Sequence, residues 1–104
     1  MRIIELNDEL FQEEVINKKG KYLIDFNANW CGPCRMMAPI LENYETKNSD
    51  LQFASVNIDD NEDLASKYNV SSIPCLILME DGKEVKRNVW LINEDELRAF
   101  LGEE

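Results

Sequence analysis

Asp25-Phe26-Asn27-Ala28-Asn29-Trp30-Cys31-Gly32-Pro33-Cys34-Arg35 is the stretch on which the reading of this chain turns. Upstream of it, Tyr22 to Ala28 reads as a strand. Downstream, a helix begins near Cys31 to Pro33 and carries Met36, Met37, Ile40, Leu41 and Tyr44 on one stripe, with Pro39 inside it. Two thiols therefore stand where a buried strand becomes a helix. There, unpaired backbone N–H groups and the positive end of the helix dipole stabilise a thiolate, so Cys31 is the expected nucleophile. Cys34, one turn further in, is expected to be less exposed and can reach the sulfur of Cys31 without unfolding the helix. A mixed disulfide on Cys31 can then be resolved internally. Pro33 suits a first helical turn, where its missing N–H is no loss. Gly32 permits close approach by a partner chain, and Trp30 provides an apolar rim.

Outward from this junction the elements alternate. Arg2 to Leu6 reads as a short first strand, and Asn7 or Asp8 caps a helix carrying Leu10, Phe11, Val15 and Ile16, stopped at Gly20. Leu51 to Ile58 is a strand with apolar residues on both faces, which suits cover by helices on both sides. Asp59 to Asn61 caps a helix through Tyr68. Cys75 to Met79 is a further strand, and Asp81-Gly82 is a hairpin signal that returns Glu84 to Trp90 antiparallel. Asn93 with Glu96 three residues on forms an N-cap pair for a last helix. Strands separated by helices call for parallel crossovers, and the hairpin adds an antiparallel edge. The expected class is α/β, a mixed sheet flanked by helices.

At 104 residues the chain has room for one domain, 1–104, since single cores usually occupy roughly 100 to 150 residues. Lys and Arg number 11 against 21 Asp and Glu; the resulting charge of −10 makes nucleic acid and membrane surfaces poor partners. With no histidine, Ser-His-Asp triads, Cys-His dyads and His-ligated zinc are unavailable. Three cysteines cannot all pair within the chain, and a disulfide scaffold is not expected. Met1 to Glu5 lacks the apolar stretch of about 7 to 15 residues that marks a signal peptide, and no run approaches a membrane span. A cytoplasmic protein is expected.

A bare C-x-x-C also occurs in zinc knuckles and iron–sulfur sites, but those need further cysteines at similar spacing, and no second pair exists here. Redox chemistry is favoured. Two other classes stay open: a redox-inert binding module, and a metal or cluster site built from Cys31, Cys34 and Cys75 shared between chains.

The sequence closely resembles the thioredoxin family. The resemblance rests on Trp30-Cys31-Gly32-Pro33-Cys34, the preceding Asp25-Phe26, Pro39, Asn57-Ile58-Asp59, Ile73-Pro74, Asp81-Gly82 and the element order, and it covers essentially the whole chain. It implies a thioredoxin fold with a four- or five-stranded sheet. It also implies a thiol–disulfide oxidoreductase that reduces protein disulfides, is recycled by a thioredoxin reductase, and acts as a monomer with no bound cofactor or metal. Residue by residue, it makes Cys31 the attacking thiolate, Cys34 the resolving thiol and Asp25 a buried acid that shuttles a proton to or from the second cysteine. A carboxylate on a central strand has its pKa raised by desolvation, which fits that role. Pro74 maps onto a cis-proline facing the disulfide, where the backbone of Ile73 pairs with substrate.

The departures from the family pattern cluster around the site. Asn27 stands where a second tryptophan is usual, Ser55 where a lysine is usual, Cys75 where a threonine follows the proline, and Trp90 where a glycine lies on the groove rim. The loss of the lysine is expected to favour the neutral form of Asp25. Trp90 is expected to narrow the groove and to replace packing lost at Asn27, so that its removal costs stability; Cys75 is expected to be a buried, inert thiol.

Overall fold

Residues 21–27 form the strand around which the molecule is organised, and a computed structural model describes residues 3–45, 47 and 51–102. This strand, β2 (Lys21–Asn27; β1 is Ile3–Glu5), is buried without a break from Tyr22 to Phe26. A strand covered on both faces has to be apolar at successive positions, and Tyr22-Leu23-Ile24-Asp25-Phe26 departs from that only at Asp25. It pairs in parallel with β3 (Gln52–Asn57) and antiparallel with β4 (Cys75–Glu80). β1 adds in parallel outside β3, and β5 (Lys83–Val89) adds antiparallel outside β4. The five-stranded order is β1-β3-β2-β4-β5, a mixed sheet as expected, although the crossover from β3 to β4 is antiparallel instead of parallel, so the antiparallel pairing starts inside the sheet and not only at the hairpin edge.

Alternation along the strands divides the interior in two. Leu23, Phe53, Leu76 and Leu78 pack with Met37, Leu41 and Tyr44 of α2 (Gly32–Glu45; α1 is Asp8–Phe11) and with Leu97 of a C-terminal helix, residues 94–100. Ile24, Phe26, Ala54, Val56, Cys75, Ile77 and Met79 pack on the other face with Leu6, Phe11, Val15 and Leu64. Leu64 belongs to α3 (Glu62–Lys67), and the C-terminal helix is α4 (Glu94–Phe100). By the same alternation Asp25, Asn27 and, across the ladder, Ser55 share the α2 face with Leu23 and Phe53.

Local chemistry explains most of the element ends. Asn7 caps α1, its Oδ1 accepting from the Leu10 N–H at 2.8 Å. Asn93 and Glu96 form the expected capping box, Asn93 Oδ1 accepting from Glu96 N and Glu96 Oε1 from Asn93 N. In the β4–β5 turn Asp81 and Gly82 both have positive φ, 52° and 85°, as a type I′ hairpin requires.

Several expectations are corrected. The first helix does not run on as one α-helix: after α1 it widens into a π-turn over Gln12–Ile16, closed by Asn17 N donating to Gln12 O. Two apolar pairs five residues apart, Leu10/Phe11 and Val15/Ile16, fit a wider turn as well as an α-helix. Met36 is 61% exposed instead of sharing the buried stripe, because Met37, Leu41 and Tyr44 already fill the face of α2 turned to the sheet. Asn61 flanks α3 without capping it; its Nδ2 donates instead to Asn57 O, and Asn57 Oδ1 accepts from the N–H groups of Asp59 and Asp60. The strand expected to end in Trp90 stops at Val89. Arg2, in the expected first strand, lies outside the described residues.

Gly82 is the position where the fold most needs glycine. A Cβ there would meet the Ile16 carbonyl oxygen at 2.7 Å, on a residue already at positive φ. Gly82→Ala is therefore expected to lower stability by about 1–3 kcal/mol in urea denaturation. An unchanged midpoint and slope would show that the hairpin is not pressed against the π-turn.

Candidate active site

The strand-to-helix junction places both cysteines. The Cys31 N–H donates to Ala28 O at 3.2 Å, which turns the chain out of β2, and α2 starts at the next residue, Gly32. Cys31 and Cys34 are joined in a disulfide with their Cα atoms 5.2 Å apart. The Cys34 backbone N–H points at the Cys31 sulfur, N to Sγ 3.1 Å, and the Arg35 N–H donates to the Cys31 carbonyl. Cys31 thus occupies the N-cap, and the donor that meets its sulfur here is also the one that would hold its thiolate once the bond opens. The expected difference in exposure is absent: both residues are 5% exposed, because the bond draws them to the same depth.

Two further loops meet this junction. The Ile73–Pro74 peptide is cis, and the Ile73 carbonyl oxygen lies 4.0 Å from the Cys31 sulfur. Ile73 and Pro74 are both buried. Trp90 follows β5; its N–H donates to Pro74 O at 2.8 Å, and its carbonyl accepts from Asn88 Nδ2. Its φ is +90° and it is 56% exposed. The glycine expected at this place suits that backbone; here a tryptophan adopts it. Trp30 is exposed, its indole N–H donating to Asp59 Oδ2 at 2.8 Å. Gly32 and Pro33 are half-buried, and nothing lies within 4 Å of where a Gly32 Cβ would sit.

Beneath the disulfide, Asp25 is buried in the middle of β2. Desolvation pushes its carboxyl up to about 7, and the Asn27 side chain partly opposes this. Asp25 Oδ1 has no hydrogen-bond partner among the described residues. Asn27 Nδ2 donates to Asp25 O at 2.9 Å and to Ser55 Oγ at 2.7 Å, and lies 3.4 Å from Asp25 Oδ2. A cleft of about 460 Å³ runs past Asp25, Asn27, Ser55 and Cys34 to the exposed Arg35 and Glu42. Trp90 does not line it.

Of the residues expected at the site, Cys31 and Cys34 are bonded, Ile73 O lies 4.0 Å from Cys31 Sγ, Trp90 is bonded to Pro74, Asp25 lines one cleft with Cys34, and Trp30, Gly32 and Pro33 adjoin the cysteines in the chain. The Asn27–Ser55 contact was missed, since both residues were read as losses. Its signal was available: period-2 alternation puts Asn27 on the face of Asp25. Cys75 is a buried free thiol whose pKa is pushed up by burial. Among the described residues, no group of three or more cysteine or carboxylate side chains is arranged to hold a metal ion, and no helix is long and apolar enough to cross a membrane.

The profile of the family described as Thioredoxin matches residues 2–103. The thioredoxin of Chlamydia caviae is 54% identical over 84 residues, which span 81% of this chain and 82% of that protein. The thioredoxin of Buchnera aphidicola is 39% identical over 103 residues, 98% of this chain and 95% of its own length. The thioredoxin of Pseudomonas aeruginosa is 38% identical over 103 residues, 95% of this chain and 93% of its own length. With a profile match of this extent, relatives this similar over most of both lengths and a redox-active cysteine pair at the start of α2, the chain belongs to the thioredoxin family of thiol–disulfide oxidoreductases.

Proposed function

We propose that this protein reduces disulfides in other proteins and is itself recycled by a thioredoxin reductase, as a cytoplasmic monomer with no bound cofactor. The observation that carries this reading is the Cys31–Cys34 disulfide at the start of α2, with a backbone N–H aimed at the Cys31 sulfur and a buried carboxyl below. In the dithiol form the Cys31 thiolate attacks one sulfur of a target disulfide, and the other target sulfur leaves as a thiolate. Cys34 gives its proton to the Asp25 carboxylate and attacks the Cys31 sulfur. The second target thiolate leaves and the intramolecular disulfide forms. Two electrons pass to the target, and the reductase must return two.

The target's chain would lie across Trp30, Gly32, Pro33, Ile73 and Pro74, with Trp90 narrowing the groove. Its backbone position supports that role. A bulky residue at φ +90° costs about 1–3 kcal/mol, and a half-exposed indole recovers little of this by burial.

Insulin reduction by dithiothreitol tests the function. The protein is expected to accelerate precipitation of the insulin chains, and Cys31→Ser to abolish the acceleration. Turbidity no faster than with dithiothreitol alone would leave the chain a binding module built on this fold.

Asp25 provides a second test, through pH. Below its ordinary value of 3.8 the carboxyl is neutral whether the chain is folded or not. Between there and about 7 only the folded chain keeps the proton, so stability falls as pH rises, by an amount approaching about 4 kcal/mol above that range. Asp25→Asn should therefore be the more stable protein at pH 8 and no more stable at pH 3.5, while reducing insulin more slowly at neutral pH. Equal stability at pH 8 would place the carboxyl in water.

Trp90→Gly is expected to reduce insulin faster than the native protein and to unfold at an equal or higher denaturant concentration, which reverses the stability loss expected from the sequence. A slower variant would take Trp90 out of the groove. A less stable one would mean that the indole contributes more by packing than its backbone costs.

A further inference from the structure

Asn27 carries one amide nitrogen with two hydrogens, and three acceptors surround it. The Asp25 carbonyl can only accept, so the side chain must turn its NH2 group, not its oxygen, toward β2 and β3. The two short contacts, 2.9 Å to Asp25 O and 2.7 Å to Ser55 Oγ, hold that group in place whatever the state of the carboxyl. The third contact, 3.4 Å to Asp25 Oδ2, shares one of those two hydrogens in a three-centre bond, which strengthens when the carboxyl gains charge. Asp25 Oδ1 is buried, makes no hydrogen bond among the described residues, and belongs to a side chain that lines the same cleft as Cys34.

We infer that Asn27, anchored on Ser55, is a positioning residue for the proton transfer: it holds Asp25 Oδ2 as the hydrogen-bonded oxygen and leaves Oδ1 to take the proton of Cys34. The inference rests on Asp25 acting as the base of the resolving step. In that step the Cys34 S–H bond breaks, the proton goes to Oδ1, and the sulfur's electron pair attacks Cys31 Sγ as the target thiolate leaves. The proton then departs along the cleft between Arg35 and Glu42, past Ser55. The charged and titratable groups that line the cleft with Asp25 are Cys34, Arg35 and Glu42 from α2 and Glu5 from β1; β3 brings the Ser55 hydroxyl, and the Cys75 thiol of β4 lies on the opposite face of the sheet. None of these donates to Oδ2, so Asn27 is the side chain that can favour the carboxylate by a hydrogen bond.

The test is the pH profile of the resolving step, followed by rapid-quench alkylation of the mixed disulfide in the full chain. It is measured between pH 5.5 and 9 for the native protein, Asn27→Leu, Asp25→Asn and the double variant. Loss of the donor should raise the apparent pKa of the step by about half a unit to one unit, slowing it about three- to tenfold at pH 6.5, with little change at pH 9. In the Asp25→Asn background the same substitution should change nothing. An unshifted profile, or an equal slowing in both backgrounds, would overturn the role. Ser55→Ala, which removes only the anchor, should shift the profile in the same direction by a smaller amount, and it decides the question if Asn27→Leu does not fold. If Asp25→Asn leaves the native profile unaltered, the reading of Asp25 itself fails; if it flattens the profile while Asn27→Leu does not shift it, only the positioning role does.

Discussion

A carboxyl group buried at the centre of the sheet is the constraint on which the rest of this site depends. An ionised carboxylate taken out of water without a cation beside it is costly, and the group responds by holding its proton to higher pH. Asp25 sits in β2 between two strands and under α2, with Asn27 and the Ser55 hydroxyl as its polar neighbours on that face. The lysine that the family pattern led us to expect at position 55 would have favoured the charged form at lower pH. With serine there, the amide of Asn27 is left as the moderating contact, and the carboxyl stands at about 7, where it can both accept and return a proton. The α2 N-terminus meets the matching need above it, since the Cys34 N–H offers a charged Cys31 sulfur a hydrogen bond without any rearrangement.

Three loops meet at the disulfide. The turn into α2 carries Cys31, the turn into β4 carries the cis Ile73–Pro74 bond, and the turn out of β5 carries Trp90, bonded back to Pro74. Trp90 stands among these loops, whereas the acid is reached from the α2 side through its own cleft. The departures from the family pattern have different neighbours: Asn27 and Ser55 lie beside Asp25, and Trp90 is bonded to Pro74.

What could be read beforehand follows from how local each signal is. β2 and α2 were legible because an apolar run interrupted only at Asp25 and a stripe at helical spacing meet at the cysteines, and the pairs Asn93/Glu96 and Asp81/Gly82 declare their cap and turn within four residues. The π-turn was not, since the spacing of Leu10, Phe11, Val15 and Ile16 suits two helical geometries. Met36 was misplaced because adjacent apolar residues cannot both face the sheet, and neighbouring packing decides which does. Asn27 and Ser55 lie 28 positions apart and meet only through the β2–β3 register, so a contact that defines the site was read as two separate absences. The positive φ of Trp90 likewise comes from the loop it closes and not from the residue itself.

The most direct measurement of the account is a carbon-13 NMR titration of the Asp25 side-chain carboxyl in the oxidised protein, assigned by comparison with Asp25→Asn. The account predicts a single inflection near pH 7, well above that of the exposed aspartates. An inflection near pH 4 would mean that the carboxyl is solvated or paired with a positive charge, and would contradict its place as the base beneath the cysteines.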